Sequence, residues 1–221
     1  MAEHPGRPRA PKKSLPEHIE TQRTFREDQL RPALDAAAAG NGHAFFADAA
    51  HFVYGTYLSR VWSVLRLFVR AASGRQRFNV LGAWNAVTRQ LLAVTNTAVV
   101  NTDTTVELLR KIAGQKLAGP VAVVLDNAKY QRNKTVQAEA AALGIRLLYL
   151  PGYSPNLNLI ERLWGFVKRR SIYAKYHPDF ASFRAAIEAA LDGIPTTHAD
   201  AMVSLMTLRF QTFENASLLA G

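Results

Sequence analysis

The stretch from Arg146 to Arg170, RLLYLPGYSPNLNLIERLWGFVKRR, constrains the fold more than any other part of the chain. It opens with a short apolar run, Leu147 to Leu150, that predicts a buried strand. A turn rich in proline and glycine follows, and apolar residues then recur at helical spacing up to a cationic end that suits a helix C-terminus. Glu161 lies in the first turn of this helix, where it is either part of a helix cap or a ligand for a metal ion.

Strands and helices are predicted to alternate along the rest of the chain. The predicted strands are Ala44–Val53, Phe78–Ala86, Gln90–Thr97, Val121–Asp126 and Ile145–Leu150. The predicted helices are Pro16–Ala39, Thr104 to about Lys116, Lys134–Leu143, the helix that contains Glu161, about Pro178–Leu191 and Thr197–Phe213. Thr104 and Glu107 form a capping-box pattern. The apolar run Leu65–Val69 fits either type of element.

The order of these elements predicts the sheet. The first three strands can meander antiparallel, whereas the later helical crossovers require two strands that pair in parallel beside the first. We therefore expect an α/β domain with a mixed five-stranded sheet and helices on both faces, which is the ribonuclease-H-like arrangement. This domain is expected to span residues 43–221. Residues 1–42 are expected to form a basic, proline-rich arm and one linker helix.

The chain is basic, with a formal net charge of +10, and its acids are unevenly spread. No Asp or Glu occurs between Asp48 and Asp103, an interval that carries six arginines. Isolated acids in a basic field favour a polyanionic partner such as DNA, with metal ions held against its phosphates. Solvated arginine-rich faces are the alternative.

Several classes of protein are excluded. Cysteine is absent, so the chain has neither a disulfide framework nor a cysteine-based zinc site. No apolar run is long enough to cross a membrane, and the N-terminus lacks the apolar core of a signal peptide. We expect a soluble cytoplasmic protein without a membrane partner.

Three acids occupy positions that suit chemistry. Asp48 lies inside an apolar strand, Asp126 ends the most apolar strand, and Glu161 begins a helix just after another strand. A carboxylate in an apolar setting is costly unless it is paired, and two magnesium ions about 4 Å apart support phosphodiester chemistry. Each acid also has a structural alternative. Asp48 can bond to backbone, Asp126 can shape a turn, and Glu161 can pair with Asn158 in a helix cap.

Two segments carry a resemblance to a known family. LDNAKYQ, at Leu125–Gln131, and LPGYSPNLNLIERLWGFVKRR, at Leu150–Arg170, resemble the catalytic core of mariner-superfamily transposases, in particular bacterial ones of the insertion-sequence-630 type. The shared motifs are D-N-A and Y-S-P-x-L-N-x-I-E-x-x-W, with 34 residues between Asp126 and Glu161. The resemblance extends over about residues 43–213.

The resemblance implies a ribonuclease-H-like DDE transposase in which Asp48, Asp126 and Glu161 are catalytic and bind two Mg²⁺ or Mn²⁺ ions. Such an enzyme cleaves the ends of a transposon with terminal inverted repeats and transfers them into target DNA, usually at TA. It implies a homodimer that acts on the nucleoid in the cytoplasm of a bacterium. Many relatives have Glu after the first Asp, where this chain has Ala49, and a histidine often found after D-N-A is replaced within YQRNK.

Relatives usually begin with helix-turn-helix modules that read the inverted repeats. Residues 1–42 have room for an arm and one helix. We therefore expect the recognition part to be a separately encoded helix-turn-helix partner, or to be lost or removed from this chain. Without that part, DNA affinity is expected to rest mainly on phosphate contacts.

Basic residues near the motifs and in the arm are candidate contacts to DNA phosphates. They are Arg7, Arg9, Lys129, Arg132, Lys134, Lys168, Arg169 and Arg170. Arg7 and Arg9 either enter a minor groove or belong to an unstructured tail, and Lys168 to Arg170 are alternatively plain helix-end cations. His51 lies either near the site or in an ordinary packed or surface position. Trp164 is expected to be a core residue that fixes its helix.

Two other functions fit the same sequence. A metal-dependent nuclease of the ribonuclease H or junction-resolving kind would share the fold and the metals but would cleave without strand transfer. The Y-S-P-x-L-N motif disfavours this nuclease. A transposase remnant would bind DNA without catalysis, and the intact Asp126 and Glu161 weigh against it.

Overall fold

The computed structural model describes residues 16–55 and 76–211. The strands are β1 (His43–Val53), β2 (Arg77–Asn85), β3 (Leu91–Asn96), β4 (Val121–Leu125) and β5 (Ile145–Tyr149). The helices are α1 (Pro16–Phe25), α2 (Arg31–Ala38), α3 (Thr102–Ala113), α4 (Lys134–Ala142), α5 (Ile160–Ser171), α6 (Phe180–Asp192) and α7 (Ala199–Leu205). The apolar run Leu65–Val69 and the arm residues Arg7 and Arg9 lie outside the described residues.

The five strands form one sheet in the order β3-β2-β1-β4-β5. β2 pairs antiparallel with β1 and with β3, whereas β4 pairs parallel with β1 and with β5. The predicted mixed five-stranded sheet is therefore confirmed. Each strand agrees with its predicted bounds to within one residue at either end, because apolar runs bounded by turn residues mark buried strands clearly.

Helices cover both faces of the sheet. Phe46, Trp84 and Trp164 belong to the core on the face covered by α1, α2, α5, α6 and α7. Phe45 and Leu81 belong to the core on the other face, under α3 and α4. Successive side chains of a strand point to opposite faces, so a sheet covered on both sides requires the largely apolar composition of β1 and β2 and the unbroken apolar run of β4. No helix in the described ranges is both long and apolar enough to cross a membrane.

The predicted helix Pro16–Ala39 is confirmed, with a wide turn in its middle. Residues Arg26–Leu30 form a π-helical turn between α1 and α2, and the backbone N–H of Arg31 donates to the carbonyl of Arg26, five residues back. Pro32 has no backbone N–H and cannot continue the regular ladder, which accounts for the wider turn before it.

Two predicted helix ends are wrong. Asn101 caps α3 in place of Thr104, because its Oδ1 accepts a hydrogen bond from the Thr104 backbone N–H at 3.0 Å. The last helix, α7, ends at Leu205 instead of continuing to Phe213. Carbonyls of the segment beyond it accept hydrogen bonds from Arg162, whose Nη1 lies 2.7 Å from the carbonyl oxygen of Thr207.

Candidate active site

Strand register brings the two aspartates side by side. The parallel pairing of β1 with β4 ends at Phe46 opposite Val124. Asp48 and Asp126 each lie two residues beyond this last pair, so they share one level at the carboxyl ends of the two adjacent strands. Neighbouring strands lie about 4.8 Å apart, and residues two apart point to the same face. Both carboxylates thus lie near each other on the face of the sheet that α5 covers.

Glu161 reaches this level from the first turn of α5. Between β5 and α5 the chain turns sharply, with Tyr153 in the left-handed region at φ 57°, and a short 3₁₀ helix, Pro155–Leu157, follows. The Asn158 Nδ2 then donates to the backbone carbonyl of Ala47 at 3.4 Å, and Ile160 is fully buried. These contacts hold the start of α5 against β1, beside Asp48.

The alternative in which Asn158 and Glu161 form a helix cap is wrong. The N-cap of α5 is Leu159, which has no side-chain capping hydrogen bond. The side chain of Asn158 is used across the fold, on Ala47, and Glu161 is exposed with no hydrogen bond to its carboxylate among the described residues. The Glu161 carboxylate is therefore available for another ligand.

Asp48, Asp126 and Glu161 line one cleft of about 300 Å³. The turn after β5 forms another wall of the cleft, including Tyr153 and Ser154. The alternative for Asp126 as a turn residue also holds, because its Oδ1 accepts from the backbone N–H of Ala128 at 3.1 Å. A single carboxylate can shape the turn and still present its second oxygen to the cleft.

Burial and the charges of two neighbouring acids raise the pKa of Asp48. Burial is the larger cause that raises its pKa to about 7, followed by the charge of Glu161 and, less strongly, that of Asp126. A hydrogen bond from the Ala49 backbone lowers the pKa in part. Burial also raises the pKa of Tyr130 to about 12, with further contributions from Asp126 and Asp48. The cleft thus concentrates negative charge that the surrounding protein does not neutralise.

The donor set matches a divalent cation in type and charge. Among residues 16–55 and 76–211, none of the three carboxylates forms an ion pair with Lys, Arg or His. Hard cations such as Mg²⁺ prefer carboxylate oxygens and keep several waters, so a few acids suffice. Over the same ranges no three Asp, Glu or His side chains form a closed metal cluster. Asp48, Asp126 and the exposed Glu161 are the residues that would hold the cation.

The predicted DNA contacts fall into two groups. Lys129, Arg132 and Lys134 are exposed on the segment after β4, and the Arg132 guanidinium lies 5.2 Å from the centre of the Tyr149 ring. Arg132 and Tyr149 line a second groove that shares Asn127, Leu150 and Pro151 with the cleft. Arg132 therefore lies in a groove that borders the cleft of the three carboxylates.

The second group lies at the far end of α5. Arg169 and Arg170 are exposed there and Lys168 is half-buried. They follow Glu161 by two turns, roughly 12 Å along the helix axis. The structure thus places them on the same helix as Glu161 but away from the cleft.

His51 does not belong to the cleft. It follows Asp48 by three residues on β1 and so points to the opposite face of the sheet. Its Nδ1 lies 2.7 Å from the Asn79 Oδ1, and the Asn79 Nδ2 donates to Asn96 and to the carbonyl of Ala98. Asn79 Oδ1 is therefore the acceptor and His51 Nδ1–H the donor. The prediction of an ordinary surface histidine fits this network.

Gly82 is a residue of the site that the sequence analysis missed. It lies on β2 directly opposite Asp48, and a Cβ atom there would come within 2.7 Å of the Trp164 ring. Its signal was available, because an isolated glycine inside an apolar strand often marks a close approach of another group. Trp164 itself is 2% exposed, which agrees with the predicted core position.

The sheet order, with helices on both faces and acids at the ends of adjacent parallel strands, defines a ribonuclease-H-like fold. Residues 43–184 match the family described as DDE superfamily endonuclease, and the chain belongs to this family. No match was found among curated protein sequences.

Solved structures share the fold at low sequence identity. The Mos1 transposase paired-end complex with left transposon end is 13% identical, with a TM-score of 0.61 over 96% of this chain and 68% of that chain. The Mos1 mariner paired end complex with Mn is also 13% identical, with a TM-score of 0.63 over 95% of this chain and 68% of that chain. A simian T-cell lymphotropic virus intasome in complex with PP2A regulatory subunit B56 gamma is 20% identical, with a TM-score of 0.50 over 70% of this chain and 48% of that chain.

Proposed function

We propose that this chain is the catalytic domain of a DNA transposase of the insertion-sequence-630 type, which cleaves transposon ends and transfers them into target DNA by cut-and-paste movement. The observation that carries the proposal is the meeting of Asp48, Asp126 and Glu161 in one cleft. Membership of the DDE superfamily endonuclease family and the Y-S-P-x-L-N-x-I-E-x-x-W motif support the same conclusion.

Each of the three acids has a proposed role in holding the metal. Asp48 and Asp126 would bind from the ends of adjacent strands, and Glu161 from α5. Two Mg²⁺ or Mn²⁺ ions, when bound, would supply activation of the attacking water or 3′ hydroxyl and stabilisation of the leaving oxygen. Asp48 must give up its proton to become a ligand, and its raised pKa makes that proton release part of metal binding.

The proposed partners are DNA and a second copy of the chain. Arg132 stands along the groove next to the cleft, which favours a phosphate contact on the strand being cut. Lys129 and Lys134 would extend the same basic path. The similar Mos1 structures are a paired-end complex and a strand-transfer complex, which supports a synaptic homodimer for this chain. A separately encoded helix-turn-helix protein would read the inverted repeats, and the assembly would act on the bacterial nucleoid.

A joining assay tests the proposal. Labelled oligonucleotides that carry the element ends are incubated with target DNA and Mn²⁺, and the products are separated by size. The wild-type chain is expected to cleave and to join, and Asp126→Asn and Glu161→Gln are each expected to lose about a hundredfold or more in both steps. Glu139→Gln is the matched control, because Glu139 forms an ion pair with Arg110 on the face of the sheet opposite the cleft.

The other outcomes identify the alternatives. Cleavage without joining would replace the transposase by a metal-dependent nuclease. A shifted but uncut oligonucleotide would indicate a remnant that binds DNA. Activity that survives both Asp126→Asn and Glu161→Gln would refute the assignment of the cleft.

A further inference from the structure

The indole of Trp164 lies deep between α5 and the sheet, with its N–H buried. Trp164 follows Glu161 by three residues on α5, and its side chain is 2% exposed. Within the described part of the chain its Nε1–H makes no hydrogen bond of normal length and angle. A buried N–H without a partner costs free energy, so its position calls for a physical reason.

Gly82 determines where that indole rests. Gly82 pairs with Asp48 across β1 and β2, so the two residues face each other at one level of the sheet. A Cβ atom on Gly82 would lie 2.7 Å from Cη2 and 2.9 Å from Cζ2 of Trp164. Only one carbon separates Cζ2 from Nε1. The N–H is therefore at the level of Asp48 on the same face of the sheet, and a side-chain hydrogen bond from Trp164 is the last of the causes that act on the pKa of this carboxyl, which it lowers.

Trp84 shows that a buried indole N–H without a hydrogen-bond partner does not by itself indicate a role in the site. It is fully buried on the same face, and its Nε1–H also has no partner in the described ranges. Trp84 pairs with Phe46, an apolar residue, two positions along β2 from Gly82. The two tryptophans thus differ in what they face, and only Trp164 faces a carboxylate that the cleft leaves unneutralised.

We propose that the Trp164 indole N–H is the hydrogen-bond donor that holds the Asp48 carboxylate in place for metal binding. The missing side chain of Gly82 leaves the space that the Trp164 ring needs. Trp164 is then a positioning residue that acts through Asp48. The inference rests on the proposed function, since it assumes that Asp48 is a metal ligand. Hydrogen-bonded partners behind a ligand fix its orientation, and their loss typically weakens metal affinity by about 10- to 100-fold.

Metal titration of conservative variants gives the first test. Trp164→Phe keeps an aromatic ring and removes the N–H, so it should weaken Mn²⁺ binding measured by calorimetry about tenfold. Trp84→Phe removes the other buried indole N–H and should leave Mn²⁺ affinity unchanged. Gly82→Ala should weaken Mn²⁺ binding like Trp164→Phe although Trp164 is present, because the added methyl group displaces the ring.

Indole resonances in the wild-type protein give a second test that needs no altered core. The chain has three tryptophans, so its ¹H–¹⁵N spectrum holds three indole signals that single Trp→Phe variants assign. The Trp164 signal should move on addition of Mg²⁺ and in the Asp48→Asn variant, whereas the Trp84 signal should move in neither. If Trp164→Phe does not fold, assignment from the other two tryptophans leaves this test intact.

The results separate this inference from the proposed function. If strand joining persists, either of two results would overturn the positioning role. One is a Trp164 signal that moves neither on addition of Mg²⁺ nor in Asp48→Asn, and the other is a Trp164→Phe variant that binds Mn²⁺ like the wild type. A wild-type chain that neither binds Mn²⁺ nor joins DNA would overturn the proposed function. Even then, the response of the Trp164 signal to Asp48→Asn would decide whether the indole contacts that carboxylate.

Discussion

Among the described residues, Asp48 is a carboxyl whose charged form the fold disfavours. Burial and the neighbouring Glu161 raise its pKa to about 7, whereas in the unfolded chain the carboxyl titrates near its ordinary value of 3.8. Between about pH 4 and pH 7 the folded protein therefore binds more protons than the unfolded chain. The free energy of unfolding must fall as the pH rises through this window, and the loss is complete above it.

The Asp48→Asn substitution should consequently stabilise the metal-free protein. At pH 8, in the presence of a chelator, we expect urea denaturation to give Asp48→Asn a free energy of unfolding higher by on the order of 2 kcal/mol. Near pH 4 the difference should vanish, because Asp48 is protonated in the folded protein. Added Mg²⁺ should stabilise the wild type and not the variant. An equal gap at both pH values would mean that the charge of Asp48 is not what destabilises the folded protein.

At the scale of elements, much of the fold could be predicted because burial marks the sequence locally. Apolar runs bounded by turn residues predicted all five strands to within one residue at either end. The errors arise where a side chain bonds to a distant part of the chain. Asn158 looks like a helix cap in sequence, but its amide donates to Ala47, 111 residues away.

The candidate site divides in the same way. The motifs pointed to Asp126 and Glu161, since residue type and spacing are local properties. The isolated Gly82 signals a close approach of some group, but that this group is Trp164 could not be predicted, because it depends on how α5 crosses the sheet. The position of the cationic group Lys168 to Arg170, away from the cleft, likewise follows only from the direction of α5.

Arg162 joins α5 to the segment that follows α7. Its guanidinium donates to the carbonyls of Leu205, Thr207 and Arg209, at 3.3 Å for Leu205 and 2.7 Å for Thr207. The same segment brings the Phe210 ring to 5.9 Å from the ring of Phe46. One side chain next to Glu161 therefore secures the chain that covers the sheet at this point.

Replacing Arg162 by Ala should loosen that segment. Because three carbonyls lose a charged donor, we expect the free energy of unfolding to fall by about 2 kcal/mol and limited proteolysis after residue 205 to accelerate. Arg169→Ala is the control, since Arg169 is an exposed arginine on the same helix, and it should change stability by less than about 0.5 kcal/mol. Identical proteolysis rates for the two variants would show that Arg162 does not hold the segment.

For the molecule as a whole, the distribution of charge indicates where a polyanion would bind, which the net charge alone does not. The net charge is +10, yet the cleft gathers three acids, and exposed cations stand beside it and at the end of α5. Within the described ranges, Lys168, Arg169 and Arg170 form no ion pair, whereas Arg31, Arg110 and Arg184 are paired with neighbouring acids. Unpaired cations are the ones that replace counterions on a phosphate backbone.

Salt dependence of DNA binding should distinguish these two sets of cations. The triple variant Lys168→Ala, Arg169→Ala, Arg170→Ala should reduce the slope of log affinity against log salt by about three, as measured by fluorescence anisotropy on duplex DNA. The triple variant Arg31→Ala, Arg110→Ala, Arg184→Ala carries the same change in net charge and should reduce the slope by less than about one. Equal reductions would mean that binding follows net charge and not the end of α5.

The shared register of β1 and β4 also determines how this protein can change over time. Asp48 and Asp126 meet because each lies two residues beyond the last pair of the two strands, Phe46 and Val124. Substitutions on either strand leave that count intact, so divergence in side chains is compatible with a preserved site. Insertion or deletion of a single residue between His43 and Asp48 turns the carboxylate to the opposite face. A working site therefore requires that the length of β1 before Asp48 stay unchanged.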